Sequence, residues 1–134
     1  SAYKLELDAL NGCVSKANEI LQILSNALTQ LPQFTKCRKW ITLEPESFSL
    51  VLHVIADNEA VKLPLTGMCL GDHLRPAPFF FVKGAEPQGR SKPHLLDYDP
   101  KTLLTLRSVI DETMSDAELV KNLVDNFTEV EHSN

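Results

Sequence analysis

The sequence predicts an α+β fold with a long N-terminal helix, a four-stranded antiparallel meander and two C-terminal helices. Three observations predict it. Apolar residues follow a heptad repeat from Tyr3 to Leu31, alternate along the middle of the chain, and return at helical spacing in the last third. Pro32 divides the chain into a heptad helix, residues 1–32, and a continuous α+β domain, residues 33–134.

Composition and charge argue against some classes of binding partner. The 134 residues are enough for one domain with a core, and the net charge of −5 disfavours binding to a nucleic-acid backbone. No apolar run approaches the roughly 20 residues of a membrane span, so no membrane partner is expected. The N-terminus lacks the pattern of a secretion signal, and the three cysteines form no CxxC pair. We therefore expect a nuclear or cytoplasmic protein.

The N-terminal helix is predicted by apolar residues spaced alternately by four and three positions. Positions a and d of this heptad are Tyr3, Leu7, Leu10, Val14, Ala17, Leu21, Leu24, Leu28 and Leu31. Position g is apolar at Cys13, Ile20 and Ala27, which makes the stripe wider than a two-stranded coiled-coil seam. Such a stripe fits either a helix lying on its own sheet or a helix that pairs with another chain. Pro32 ends the helix because it has no N–H to donate.

The heptad helix is too long for the domain to cover. About 29 residues at 1.5 Å each span about 43 Å, whereas four strands about 4.8 Å apart span only about 15–20 Å. Because Pro32 ties the C-terminal end to the sheet, the N-terminal half is expected to be free. We predict that the apolar residues of the N-terminal half contact a second copy of the chain or a partner subunit, and that those of the C-terminal half pack inside the domain. The first set is Leu7, Leu10 and Val14, and the second is Leu24, Leu28 and Leu31.

Alternating apolar residues predict the strands. The first covers residues 39–43, and the second covers 47–56 and is apolar on both faces, as expected of a central strand. The third covers 60–65 and ends, or meets a sheet edge, at Pro64. After a loop, residues 79–82 form the fourth strand.

Three consecutive phenylalanines follow two prolines in this fourth strand. Pro76 and Pro78 hold the chain extended, so Phe79 and Phe81 point to one face of the sheet and Phe80 to the other. Helices on one face and a loop or partner on the other would bury all three rings. If the face of Phe80 is open instead, Phe80 is a candidate partner-binding residue.

The C-terminal third is predicted to be helical. Asp99 and Pro100 open a helix that runs to Met114. Ser115 and Glu118 then form the capping box of a second helix. The buried stripe of this second helix is Leu119, Val120, Leu123, Val124 and Phe127.

This order of elements, with Pro76 and Pro78 before Phe79–Phe81, resembles the RWD domain. That family is a non-catalytic relative of the ubiquitin-conjugating enzymes, in which a proline-rich turn leads into a fourth strand with bulky residues. The tyrosine that usually precedes the first proline is absent, since Leu74 and Arg75 stand there. The resemblance implies a docking module of kinetochore complexes, ubiquitin ligases or translational-control kinases. A heptad helix that leads into such a domain is similar to the kinetochore arrangement in particular.

The same comparison predicts no enzyme. Conjugating enzymes carry a His-Pro-Asn motif and a nucleophilic cysteine after the fourth strand, whereas no cysteine follows Val82 here. We therefore expect a protein-interaction domain in a multiprotein assembly such as a kinetochore or ubiquitin-ligase complex, without cofactor or metal. One alternative is an adaptor or chaperone of unrelated α+β fold. Another is a thiol-dependent enzyme that uses Cys69, with His73 four residues later as its base, or the same pair as metal ligands.

Two other features are interpreted more simply. His53 in the second strand is interpreted as a core histidine with satisfied hydrogen bonds. The basic cluster at residues 36–40, KCRKW, is interpreted as a solvated loop, although it could contact a phosphate or an acidic partner.

Overall fold

A computed structural model describes residues 2–46, 49–58, 60–71, 78–84, 104–105 and 115–133. The chain is an α+β protein, as predicted. Its elements are helix α1 (Ala2–Thr29), a 3₁₀ turn (Pro32–Phe34), strands β1 (Arg38–Glu44), β2 (Ser49–Ile55), β3 (Leu65–Cys69), β4 (Phe79–Lys83) and β5 (Leu104–Thr105), and helix α2 (Asp116–Ser133).

The strands form one antiparallel sheet in the order β1-β2-β3-β4-β5. Neighbouring strands in the sheet are also neighbours in the chain, so the predicted four-stranded meander is present and β5 extends it. The pairing places Trp40 opposite His53 and Met68 opposite Phe80. β2 lies inside the sheet, as its two apolar faces predict.

The predicted position of the third strand is wrong. The sequence places it at residues 60–65 with an end near Pro64, whereas β3 begins at Leu65 and runs to Cys69. Pro64 has no N–H for a ladder, so the pairing starts after it rather than before it. Val61 is consequently 45% exposed and contributes little to the core.

The predicted helix over residues 100–114 is wrong at Leu104 and Thr105. These two residues form β5, in which Leu104 lies opposite Phe80 and Thr105 opposite Phe79. Pairing with the free edge of β4 outweighs the local preference for a helix, as tertiary contacts commonly do. The other positions of this predicted helix lie outside the described residues.

The last predicted helix is confirmed as α2. The hydroxyl of Ser115 accepts the backbone N–H of Glu118 at 3.1 Å, which is the N-cap bond of a capping box. The predicted stripe faces the core. Leu119, Leu123 and Phe127 are fully buried, Val120 is 6% exposed and Val124 packs against them.

The main core lies between the two helices and one face of the sheet. Its buried members are Ala17, Ile20, Leu21, Leu24, Leu28, Phe34, Leu50, Leu52, Val54, Met68, Phe80, Val82, Leu119, Val120, Leu123 and Phe127. Leu24, Leu28 and Leu31 pack inside the domain as predicted, because Leu24 and Leu28 are fully buried and Leu31 packs against the core. Position g contributes Ile20, which confirms the widened stripe.

The two helices run in the same direction. The Lys16 ammonium donates to the Asp116 carboxylate at 2.6 Å, at the start of α2. Farther along both segments, the rings of Phe34 and Phe127 meet edge to face, with centroids 5.2 Å apart. α2 therefore begins beside the middle of α1, and α1 extends about 21 Å past that point toward its N-terminus at 1.5 Å per residue.

A second apolar cluster lies on the opposite face of the sheet. It comprises Val51, Cys69, Phe79 and Phe81, all at most 4% exposed. With Phe80 fully buried in the main core, all three phenylalanines are buried by their own chain. The prediction that Phe80 binds a partner is therefore corrected: its ring lies between the sheet and the helices and is not at the surface.

Candidate interaction surface on the first two strands

The structure describes the predicted partner-binding residues of α1 only in part. Val14 is half-buried in α1. The side chains of Leu7 and Leu10 lie outside the described residues, although their backbone belongs to α1. The structure thus leaves the predicted role of these three residues untested.

The three cysteines differ in their exposure: Cys69 is buried, whereas Cys13 and Cys37 are half-buried. Cys69 is fully buried in β3, where its sulfur accepts the N–H of Gly71 at 3.4 Å. Burial raises the pKa of the Cys13 thiol, and it raises the pKa of the Cys37 thiol more than nearby Lys39 lowers it. Both thiols are therefore protonated at neutral pH, and the thiolate is the reactive form. His73, the proposed partner of Cys69, lies outside the described residues.

A different group of side chains comes together on β1 and β2. Because Leu50, Leu52 and Val54 face the helices, alternate residues point to the opposite side of the sheet. There the register aligns a set that we call the hairpin surface: Arg38, Trp40, Thr42 and Glu44 on β1 with His53 and Ile55 on β2. Trp40 is 43% exposed and Ile55 is 40% exposed.

Trp40 and His53 are the centre of the hairpin surface. They lie directly opposite each other on the two strands, and their rings stack at a centroid distance of 5.1 Å and an angle of 14°. The imidazole thus covers one face of the indole, which fixes its orientation on the sheet. The Trp40 residue as a whole stays 43% exposed.

Hydrogen bonds fix the imidazole in turn. The Thr42 hydroxyl lies 2.8 Å from Glu44 Oε1 and 2.7 Å from His53 Nε2. A carboxylate only accepts, so the single hydrogen of the hydroxyl is donated to Glu44. Nε2 of His53 must then carry a proton and donate to Thr42. This network orients Trp40, Thr42 and His53 before any ligand binds.

The same geometry argues against hydroxyl activation. In a hydroxyl–imidazole–carboxylate triad, the imidazole accepts the hydroxyl proton and the carboxylate holds the other ring nitrogen. Here the imidazole donates to Thr42, and Glu44 Oε1 lies 3.8 Å from Nε2, the same nitrogen. The cluster is suited to presenting a rigid surface rather than to nucleophilic attack.

The interpretation of His53 as a core residue is wrong, although its hydrogen bonding is satisfied as expected. Its side chain is 24% exposed and belongs to the surface described above. The signal in the sequence was the polar alternation of Thr42 and Glu44 beside Trp40 on a first strand. That signal gains meaning only when the strand pairing brings His53 opposite Trp40.

Among the described strands, β1 forms one edge of the sheet. Within the described ranges, its backbone takes part in no hydrogen bond besides its ladder with β2. The basic cluster lies at its N-terminal end. Lys36 and Arg38 are exposed, whereas the Lys39 ammonium donates to the carbonyls of Phe34 and Cys37 at 2.9 and 3.1 Å. Part of the predicted loop is therefore strand, with exposed charges.

Comparison of the chain with models of protein families, with curated proteins and with solved structures gives no match. None of the described helices is long and apolar enough to cross a membrane. In the same ranges, no three His, Cys, Asp or Glu side chains are placed to hold a metal ion together. The function is therefore argued from the residues and their geometry.

Proposed function

We propose that this chain is a non-catalytic protein-interaction domain that works inside a multiprotein assembly. The observation that carries the proposal is the hairpin surface, where Trp40 and Ile55 stay 43% and 40% exposed on an open-edged strand pair. Tryptophan is enriched among the residues that dominate binding energy at interfaces. The stack on His53 orders the indole in the free protein, which lowers the entropy lost when a partner binds.

The N-terminal half of α1 is proposed as a second contact region. The described core receives its first α1 contacts near Cys13 and Ala17, and α2 begins only beside Lys16. The preceding turns carry Leu7 and Leu10 in the heptad pattern. A partner subunit that supplies further apolar surface would complete this seam.

The RWD resemblance gives the proposal its finer form. A helix, an antiparallel sheet of consecutive strands and a C-terminal helix support it as an order of elements. On this proposal the assembly is of the kinetochore or ubiquitin-ligase kind, in the nucleus or cytoplasm. Architecture alone does not fix function, so the test concerns binding.

The test compares two exposed apolar positions. Tagged chains carrying Trp40→Ala or Val61→Ala are expressed in the source cells, cross-linked, and their partners quantified by mass spectrometry. Val61 is a matched control because it is 45% exposed and lies outside the hairpin surface. We expect Trp40→Ala to weaken partner capture by about fivefold or more, the effect of losing an interface hot spot, and Val61→Ala to leave it unchanged.

Thermal melts of both variants show whether the domain remains folded. Equal capture by Trp40→Ala and Val61→Ala, with both chains folded, would remove the hairpin surface as the binding site. A catalytic activity found in the purified folded chain would replace the proposal altogether.

A further inference from the structure

We propose that β1 pairs antiparallel with β1 of a second copy of this chain, which joins the two sheets into one. This inference rests on the proposed function, because it names a partner for the same hairpin. It uses the edge of β1 rather than the face that carries Trp40.

Among the described residues, no other strand pairs with the outer edge of β1. A strand at a sheet edge presents unpaired N–H and C=O groups that can bind another strand. β1 is seven residues long, and in the described part of the chain only its β2 ladder uses its backbone groups. Edge strands of this length are commonly paired, covered or charged in native proteins.

The charges of β1 are complementary to themselves. When two antiparallel copies overlap along the whole strand Arg38–Glu44, Ile41 lies opposite Ile41 and Arg38 lies opposite Glu44 of the second copy. Two opposite-charge pairs therefore form in the one register that uses all seven residues. The Arg38 guanidinium forms no ion pair within the described residues, and the Glu44 side chain is 48% exposed.

Exposed apolar side chains lie beside the contact between the two β1 strands. Leu43 is 60% exposed on the helix-facing side, opposite the aliphatic stem of Lys39 of the second copy in the same register. On the other side, the two Trp40 side chains become diagonal neighbours about 7–8 Å apart, within reach of aromatic rings. Pairing would cover both residues, which the free chain leaves open.

Lys39 does not block the pairing of the two β1 strands. A lysine on an edge strand can prevent edge-to-edge pairing. Here the Lys39 ammonium is turned back toward the preceding turn, where the carbonyls of Phe34 and Cys37 hold it at 2.9 and 3.1 Å. Only its aliphatic stem is left to meet the second strand.

An acidic peptide fits the edge less well. It would match Lys36 and Arg38 at one end of β1 but would meet Glu44 at the other. Like charges directly opposite each other on paired strands are unfavourable. A second copy matches the charges at both ends.

The experiment measures self-association of the full chain by sedimentation equilibrium over about a hundredfold range of concentration, because association follows mass action. Emission of Trp40, the single tryptophan, is followed in parallel. We expect the unmodified chain to form dimers and its emission to shift to the blue as Trp40 is covered. Arg38→Glu or Glu44→Arg places like charges across both pairs, so each variant alone should dimerise about tenfold more weakly.

The decisive sample is an equimolar mixture of the Arg38→Glu and Glu44→Arg variants. In a mixed dimer both pairs join opposite charges again, so association should return to that of the unmodified chain. Lys121→Glu is the matched control, because Lys121 is an exposed cation on α2, away from β1, and should not alter dimerisation. Circular dichroism confirms that each variant is folded.

Three results would each overturn the inference. These are a chain that stays monomeric throughout the concentration range, dimers that both charge reversals leave unaffected, and weakened variants that the mixture does not restore. A monomeric chain whose Trp40 still governs partner capture would leave the proposed function in place. If partner capture did not depend on Trp40 while the β1 dimer formed as expected, the β1 pairing would stand and the proposed function of the hairpin surface would not.

Discussion

Gly67 lies where neighbouring strands leave no room for a side chain. It lies in the middle of β3, opposite Val51 on one side and Phe81 on the other. A Cβ atom at this position would lie 2.3 Å from the backbone oxygen of Leu50 and 3.1 Å from Cζ of Phe81. The ring of Phe81 therefore occupies the space that a side chain at position 67 would need. Glycine here allows the second apolar cluster to close over β3.

Replacing this glycine is predicted to destabilise the protein. Gly67→Ala should lower the free energy of unfolding by about 3 kcal/mol, because the nearest obstacle is backbone and cannot rotate away. The matched control is Gly12→Ala in α1. A Cβ at Gly12 meets nothing within 4 Å, so that variant should gain about 0.5–1 kcal/mol from helix propensity. Urea denaturation of both variants checks the pair, and a neutral Gly67→Ala would contradict the packing described for β3.

At the scale of secondary-structure elements, the sequence predicts the helices and strands that depend on local residue patterns. α1, β2, β4 and α2 follow from heptads, alternation and a capping box, and Pro32 marks where the first helix ends. The sequence places β3 too early because Val61 and Leu63 have the residue types of a strand. Both precede Pro64, and the pairing begins only after that residue. The sequence predicts a helix across β5 because Asp99 and Pro100 form a helix start and apolar residues recur at helical spacing after them. β5 is a strand because it pairs with the edge of β4, and a contact between such distant segments is not visible in the local sequence.

The contact between the helices allows a prediction about pH. The Lys16–Asp116 pair joins half-exposed side chains at 2.6 Å, so a double-mutant cycle with Lys16→Met and Asp116→Asn should give a coupling of about 0.2–1 kcal/mol. The hydrogen bond to Asp116 raises the pKa of Lys16 in the folded state. The stabilisation is therefore complete below the ordinary pKa of lysine and is lost as pH rises through the raised value.

Unfolding free energies measured at neutral and strongly alkaline pH check this sign. The coupling free energy between Lys16 and Asp116 should shrink at alkaline pH. The Lys16→Met chain should show no loss of stability from this site. A coupling that grew with pH would mean that another partner, not Asp116, determines the protonation of Lys16.

The N-terminal half of α1 gives a second prediction for an element. Leu7→Lys together with Leu10→Lys should abolish association through α1 and leave the melting transition of the domain nearly unchanged, because α2 begins only beside Lys16. Leu24→Lys is the contrasting variant, since Leu24 is fully buried and a charge there should unfold the chain. Sedimentation and thermal melts distinguish the two cases. A double variant that unfolds an otherwise monomeric chain would place the N-terminal seam in the protein's own core.

At the scale of the whole molecule, the candidate site was mostly hidden from the sequence. Trp40 and His53 are visible as residue types, but their stacking depends on the register between β1 and β2. A shift of one residue in that register would send His53 to the other face of the sheet. Phe80 shows the converse case: its alternation was predicted correctly, yet the helices cover its face completely.

The three cysteines report on the folded state of the whole chain. Cys13 and Cys37 are half-buried with raised thiol pKa values, so they should react slowly with a thiol reagent at neutral pH and faster as pH rises. Cys69 is fully buried and should react only when the domain unfolds. Labelling followed by peptide mass spectrometry checks this order. Rapid modification of Cys69 in the native chain would contradict its burial and would restore the thiol-enzyme alternative.

The order of the strands along the chain also has a consequence for how the protein reaches its fold. Each of the strands β1 to β3 pairs with the next one along the chain, so the loops that must close between β1 and β4 are short and their entropic cost is small. The helices differ, because Lys16 and Asp116 are 100 residues apart. During synthesis, the apolar side of α1 therefore leaves the ribosome well before α2 can cover it. Such exposed surface favours aggregation or chaperone binding, so α2 is the element whose docking completes folding and protects the nascent chain.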